Sequence, residues 1–346
     1  MSALWATAEE RGRLDPSQQL VWLMDGYRYS QIVYVLARLR VPDVLAGEPK
    51  RTDALAPLVN ANADALQRLL RAAANLGLVT EVEPSTFALT PLGALLRSNE
   101  VGSRRDQALA LVGRGHWEPW AHLEHVIRSG ESACKRALGM DLWDYYRKHP
   151  KEGEHFARAM GYRTGSAKGI VDACDLAGVA TIVDIGGSEG VLLEAFLDAA
   201  PQAMGILFDS PDVIARVRAS VRDRTFADRI EMDGGDFFEH VSPGGDLYLV
   251  KNILHDWDDA NCLHLFGNIY RASAPTSGLI VIGAVLSETS NPTSVTMADL
   301  NMLVLFGGRE RTEKELGRLL GQAGFRLERI VHTENRMVSV IEAVKR

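Results

Sequence analysis

The stretch Asp246-Leu247-Tyr248-Leu249-Val250-Lys251-Asn252-Ile253-Leu254-His255-Asp256-Trp257 sets a strand-like apolar run directly before a histidine. Ligands of open α/β sheets sit at the carboxyl ends of the strands, which places His255 on the rim of such a crevice. An imidazole with its ordinary pKa of about 6.5 takes up a proton near neutrality. A phenol, at about 10, needs that help to become a good nucleophile. A histidine with no such setting is more often structural and satisfied by the backbone; the strand-end position is what favours chemistry. Asp256, Asp258 and Asp259 follow it, and an acidic run at a helix start reads as complementing the helix dipole rather than as a metal site.

Two earlier strand ends and one turn carry a second set. Val183-Asp184-Ile185-Gly186-Gly187-Ser188-Glu189-Gly190 lies where a strand turns into a helix, and glycine there lets the backbone approach a ligand. Asp209 ends the next strand, where a carboxylate can accept from both hydroxyls of a ribose. Gly235-Asp236-Phe237-Phe238 follows the third, with an acid for an adenine amino group and a phenylalanine to flank the ring. A glycine turn alone can merely pack a helix on its strand, and each acid alone can be a helix cap or a solvated carboxylate. Three consecutive strand ends so equipped point to a nucleoside pocket. That spacing also suits a nicotinamide cofactor, so the fold does not settle the chemistry.

The elements that must position these residues follow from periodicity. From residue 179, apolar runs of strand length alternate with helix-length segments: Thr181–Ile185, Met204–Phe208, Arg229–Met232, Asp246–Val250 and Gly278–Val285. That alternation implies an α/β fold with a parallel sheet covered on both faces. Phe325–Thr333 and Met337–Val344 are separated by only three residues, too few for a helical crossover, so they pair antiparallel. Before residue 101 the pattern is helices and a hairpin. Ile32, Val35, Leu36 and Leu39 recur at helical spacing up to Pro42; Thr52 and Asn62 are expected helix caps; Glu83-Pro84-Ser85 turns the hairpin; and Thr90-Pro91 starts a fresh helix. Residues 101–178 read as all-helical, with Trp117, Trp120, Trp143, Tyr145 and Tyr146 concentrated there. Such a cluster is core, subunit interface or pocket wall.

Helices plus a hairpin form a winged-helix pattern, which raises DNA binding. Residues 1–100 carry ten Lys+Arg against eleven Asp+Glu, and the chain has a net charge of −7. That is a poor footprint for phosphate neutralisation, so a dimerisation or substrate-lid module is the better reading, with no nucleic acid or membrane as partner. The three cysteines, Cys134, Cys174 and Cys262, form neither a disulfide framework nor a zinc pattern. Together with a polar amino-terminal segment and the lack of a long apolar run, they suit a reduced, cytoplasmic setting.

From about residue 25 to 345 the chain resembles the plant caffeate-type O-methyltransferases and the bacterial relatives that methylate aromatic polyketides and pigments. The resemblance rests on Asp184-Ile185-Gly186-Gly187, Phe208-Asp209-Ser210-Pro211-Asp212-Val213-Ile214, Gly235-Asp236-Phe237-Phe238, Leu254-His255-Asp256-Trp257-Asp258-Asp259 and Gly307-Gly308-Arg309-Glu310-Arg311-Thr312. It implies a Rossmann-like class I methyltransferase sheet over residues 179–346, a winged-helix-like dimerisation domain over 1–110, and a helical connector over 111–178 that adds to the substrate pocket. It implies that Gly186, Asp209, Asp236, Phe237 and Lys251 line a site for S-adenosylmethionine, that no metal is needed, and that the protein is a homodimer. His255 would remove the acceptor hydroxyl proton, with Glu310 and Asp256 beside it in the catalytic set.

Two positions depart from the family pattern. Ser188 stands where a third glycine is usual. Gly283 stands where an acid normally supports the histidine, leaving Glu310 as partner and Asp299 as a possible substitute. The second departure keeps open a cofactor-binding relative that catalyses a hydroxylation or rearrangement. The acceptor is not named by the sequence; Trp117, Trp120, Met140, Met302 and Phe306 are candidate pocket residues.

Overall fold

Strands and helices fall where the period changes, in a computed structural model that describes residues 15–163, 167–220, 227–289, 291–335 and 337–346. The chain divides into two units. Among the described residues, one takes Asp15–Trp117 together with Tyr146–Ala159; the other takes Glu118–Tyr145 and those between Met160 and Arg346. Residues 111–178, expected as a separate connector, are divided between the two.

In the first unit, Asp15 caps the helix Pro16–Arg38 through the backbone of Gln18, whose side chain returns the bond. This helix does not run to Pro42: Arg40 takes a left-handed conformation (φ 60°), and Pro42 sits inside a short second helix, Val41–Val44. Thr52 likewise does not cap. The helix Thr52–Leu58 begins on it, while its hydroxyl donates to the Ser85 carbonyl at 3.1 Å and ties the helix to the hairpin turn. Asn62 does cap Ala63–Asn75, accepting from the Ala65 N–H, and Thr90 caps the helix at Pro91. Strands β1 (Lys50–Arg51), β2 (Val79–Glu83) and β3 (Thr86–Leu89) form an antiparallel wing in the order β1-β3-β2. Leu36, Leu55, Leu66, Leu70 and Phe87 are its buried centre. Each contributes about 1.5–3 kcal/mol by burial, whereas exposed ion pairs such as Arg51–Asp53 are screened by solvent, so packing decides this unit's stability.

The second unit is built on a seven-stranded sheet. Its strands are β4 (Thr181–Ile185), β5 (Met204–Asp209), β6 (Ile230–Gly234), β7 (Leu247–Lys251), β8 (Gly278–Gly283), β11 (Phe325–His332) and β12 (Ser339–Lys345), in the order β11-β12-β8-β7-β4-β5-β6. The pairs from β8 to β6 are parallel; β12 runs antiparallel to both β8 and β11, as the short connection requires. The run expected as one strand over Gly278–Val285 is two: β8 ends at Gly283, and β9 (Val285–Leu286) pairs in parallel with β10 (Arg311–Thr312).

Alternation along each central strand feeds two cores. Val183, Ile185, Tyr248 and Val250 pack under the helices Asp259–Ala272 and Glu313–Gln322; Ile182, Leu207, Leu249 and Ile280 pack under Val191–Ala199. From β4 the chain steps outward to β5 and β6, then returns to β7 on β4's other side. That reversal opens a crevice at the carboxyl end of β4, flanked by the ends of β5 and β7. All three cysteines are free, and burial pushes their thiols up, to about 11 for Cys134 and Cys262 and about 12 for Cys174.

Candidate active site

The glycine turn after β4 is shaped by what it must not carry. Gly186 has φ +67°, and a Cβ there would lie 2.5 Å from Ile253 Cδ1. At Gly187 a Cβ would lie 2.4 Å from Leu207 Cδ1 and 2.6 Å from Asp184 Oδ2. Ser188 occupies the left-handed region at φ 51°, a conformation that L side chains adopt at a cost. The compensation is visible: its backbone N–H donates to Asp209 Oδ2 at 2.9 Å, while the Ser210 N–H donates to Oδ1 at 2.7 Å. Burial raises the Asp209 carboxyl above its ordinary range, and these N–H groups oppose the rise. The Ser210 hydroxyl also bonds this carboxylate, which keeps remaining lone-pair capacity for a ligand hydroxyl.

One strand further on, the Phe238 N–H donates to Asp236 Oδ1 at 2.8 Å and fixes the exposed acid at the turn after β6. Phe237 is set edge-on to Phe238 and Trp257, with ring centroids 4.7 and 6.2 Å apart, and its carbonyl accepts from Asn268. Lys251 closes β7, close enough to Asp184 to favour that group's charged form. Gly186, Asp209, Asp236, Phe237 and Lys251 therefore all stand at, or just after, the carboxyl ends of β4 to β7. The cradle suits a nucleoside with a flexible tail: side-chain-free backbone for close approach, two carboxylates and a held aromatic ring.

His255 stands in a single 3-10 turn, Leu254–Asp256, entered through Asn252 at φ 53°. Its Nδ1 lies 2.8 Å from Glu310 Oε1, and Glu310 is buried. With the carboxylate accepting, Nδ1 carries the hydrogen and Nε2 keeps its lone pair. Asp256 is different. Its Oδ1 is 3.7 Å from Nε2, too far for a hydrogen bond, so it acts on the imidazole by charge alone. Asp299, expected as a substitute partner, instead accepts from the Glu310 backbone N–H at 2.9 Å. At Gly283 a Cβ would meet nothing nearer than Asn252 Oδ1, at 4.0 Å. A cavity of about 20 Å³, room for one water, lies among Asn252, His255, Gly283, Arg309 and Glu310.

Two residues that sequence reasoning did not single out hold this turn. The Arg311 guanidinium is buried and donates to the carbonyls of Leu254 and Trp257, both at 2.8 Å, and to Asp259. It grips the His255 turn on either side. Gly308 lies against it: a Cβ would fall 1.9 Å from the His255 carbonyl oxygen. The signal for both was an arginine and a paired glycine inside one motif. Asp258 caps the next helix through Asn261, as its place in the acidic run implies.

Asp256 carries a pH-dependence. Burial pushes its carboxyl up to about 7 from an ordinary 3.8, with Glu310 adding to the rise and His255 opposing it. Between those values the folded protein holds a proton that the unfolded chain has released, so stability falls as pH rises from about 4 to about 7. Asp256→Asn is expected to flatten that part of a melting-temperature profile; a slope equal to wild type would refute the assignment.

On the helical side of the same unit, Trp120 donates from Nε1 to Asn301 Oδ1 at 2.8 Å. Trp143 stacks on Phe306 with centroids 5.3 Å apart, Met302 is buried and Met140 is partly buried. Trp117 belongs to the other unit.

A doubly wound sheet with a glycine turn, acids at successive strand ends and a histidine–carboxylate pair on the rim defines a class I methyltransferase. A family model for the O-methyltransferase domain matches residues 120–326, and one for the O-methyltransferase dimerisation domain matches residues 21–99. The chain belongs to the O-methyltransferase family. It is 38% identical over 333 residues to phenazine O-methyltransferase PhzM of Lysobacter antibioticus, covering 96% of this chain and 97% of that protein. Phenazine-1-carboxylate N-methyltransferase of Pseudomonas aeruginosa is 30% identical, with 95% of this chain and 98% of that protein covered. Among solved structures, the O-methyltransferase NcsB1 from neocarzinostatin biosynthesis, in complex with S-adenosyl-L-homocysteine and 1,4-dihydroxy-2-naphthoic acid, superposes with a TM-score of 0.82. It is 30% identical, covering 92% of this chain and 96% of that one.

Proposed function

We propose that the protein transfers a methyl group from S-adenosylmethionine to a hydroxyl of an aromatic or polyketide-type small molecule, with His255 as general base. The observation that carries this is the His255–Glu310 pair, 2.8 Å apart, on the rim of the β4 crevice. When bound, S-adenosylmethionine supplies a methyl made electrophilic by its sulfonium. The chain's own work is placement and proton removal. Gly186 lets the turn approach the nucleoside, Asp209 accepts from the ribose hydroxyls, Asp236 accepts from the adenine amino group, and Phe237 flanks the ring. Lys251 supplies positive charge at the end of β7. His255 Nε2 accepts the acceptor's hydroxyl proton, and Glu310 stabilises the resulting imidazolium. Asp256, 3.7 Å from Nε2, adds negative charge only as it ionises, above about pH 7. Trp120, Met140, Met302 and Phe306 are the pocket residues proposed from this unit.

A homodimer is proposed on a different observation. Leu20, Val21, Leu23, Met24 and Tyr27, on the helix Pro16–Arg38, expose between 47% and 66% of their surface. That apolar row, at the start of the matched dimerisation region, fits a second copy of the chain. Light scattering at twice the chain mass of 37.9 kDa is the expected result.

The test of the reaction is mass spectrometry of a candidate phenol incubated with S-adenosylmethionine. A product heavier by one methylene unit, with S-adenosylhomocysteine formed, is expected. Gly283 favours one other reading, a non-methylating conversion in which the base is under-supported; product formed without S-adenosylhomocysteine would select it. Asp209→Ala is expected to raise KM for the cofactor about tenfold to hundredfold. A hydrogen bond to a charged acceptor is worth about 1.5–3 kcal/mol, so loss of even one gives that range. An unchanged cofactor KM would remove Asp209 from the site.

A further inference from the structure

Asp184 is the most deeply buried acid of the crevice, and the proposed reaction does not use it. It stands in β4 on the face of Ile182, beneath the glycine turn, and is 1% exposed. Its Oδ2 is buried without a hydrogen-bond partner. The turn presses onto that oxygen, since a Cβ on Gly187 would come within 2.6 Å of it. Around it stand Leu193 and Leu207, together with three polar influences: Lys251 at the end of β7, Asp209 at the end of β5, and the Leu193 N–H near the start of the helix Val191–Ala199.

An ionised carboxylate in such a place costs far more than a neutral acid, because an anion out of water needs either hydrogen bonds or a cation. Lys251 and the Leu193 N–H favour the charged form; burial and Asp209 oppose it, and burial dominates, pushing the carboxyl up to about 7 from 3.8. The balance is therefore close, and one more positive charge above the glycine turn would tip it.

We propose that Asp184 is a proton-exchanging counter-ion of the cofactor site, neutral in the free protein and ionised when a cationic cofactor lies against the Gly186-Gly187 turn. This rests on the S-adenosylmethionine reading above. The step balances simply: the Asp184 O–H bond breaks, the electron pair stays on the carboxylate, and the proton leaves to solvent or buffer. By reciprocity, a site that releases a proton on loading binds its cofactor more weakly in acid. Apparent affinity should fall by up to tenfold for each pH unit below about 7. A fixed counter-ion would give no such slope.

Titration calorimetry of the full chain with S-adenosylmethionine, in phosphate and in Tris at pH 7, reads the exchange directly. About half a proton released per site is expected for wild type, since a group of pKa about 7 is half protonated there. Asp184→Asn should bind with that release abolished. Binding without proton release in wild type, or with the same release in Asp184→Asn, overturns the proposal. If Asp184→Asn fails to fold, difference infrared spectra of wild type labelled with 13C-aspartate decide it: loading must remove a protonated carboxylic-acid band, and a band that survives overturns the proposal. Wild type showing no binding heat at any pH is a different outcome, which overturns the cofactor reading itself.

Discussion

His255→Ala is expected to lower kcat with a phenolic acceptor by roughly a hundredfold or more at neutral pH, the usual scale for loss of a general base. KM for the cofactor should change little, because the crevice residues at the ends of β4, β5 and β6 are untouched. The profile against pH separates base loss from general damage. Wild-type rate should climb as the imidazole deprotonates, whereas the variant should recover only as the phenol ionises unaided, near pH 10. The substitution also strands the buried Glu310 carboxylate, at a cost of about 1–3 kcal/mol, so stability should be checked by melting before kcat is compared. Full activity at pH 7 would remove His255 from its role.

Gly308→Ala should be nearly as damaging without touching any reacting group. The added methyl would sit 1.9 Å from the His255 carbonyl oxygen and 2.7 Å from the Asp256 carbonyl carbon, both backbone atoms that cannot rotate away. Overpacking usually costs about 1–3 kcal/mol, and a collision with backbone belongs at or above the upper end. The turn must move, and with it the 2.8 Å contact to Glu310. Turnover is expected to fall at least tenfold while S-adenosylmethionine still binds, because a misplacement near 1 Å costs about a hundredfold in rate. Gly307→Ala makes a useful companion: it meets Ser132 only at 3.8 Å, but its φ of +73° strains any side chain. It should therefore cost stability more than rate. Equal kcat in Gly308→Ala and wild type would show that the turn has slack the packing does not reveal.

The α/β layout was legible because each strand carries its period in a few consecutive residues, and β4 begins and ends where the apolar run does. Strand ends in such a sheet are binding positions by geometry, which makes Asp209 and His255 candidates from sequence alone. Glu310 was reached through a motif rather than through physics. What stayed hidden depends on distance along the chain. Arg311 meets Leu254 across 57 residues, and nothing local at either position announces the pair. The space that Gly308 must leave empty has no pattern at all until the two backbones are brought together. Thr52 has the local pattern of a cap, but the helix starts on it and its hydroxyl donates to the Ser85 carbonyl, 33 residues away. Gly283 was noticed as a missing acid, but the cavity beside it appears only once Asn252 and Glu310 face one another.

The order of strands in the sheet bears on how the chain is made. β12, the last strand, seats between β8 and β11. During synthesis, residues 278–283 therefore leave the ribosome with an unpaired edge, and that edge waits for residues 339–345 before it is covered. Open edges of apolar strands are templates for the wrong partner. The Arg311 staple and the Glu310 contact are synthesised inside the same interval. Translation speed over residues 284–346 thus bears on aggregation and on assembly of the His255–Glu310 pair alike.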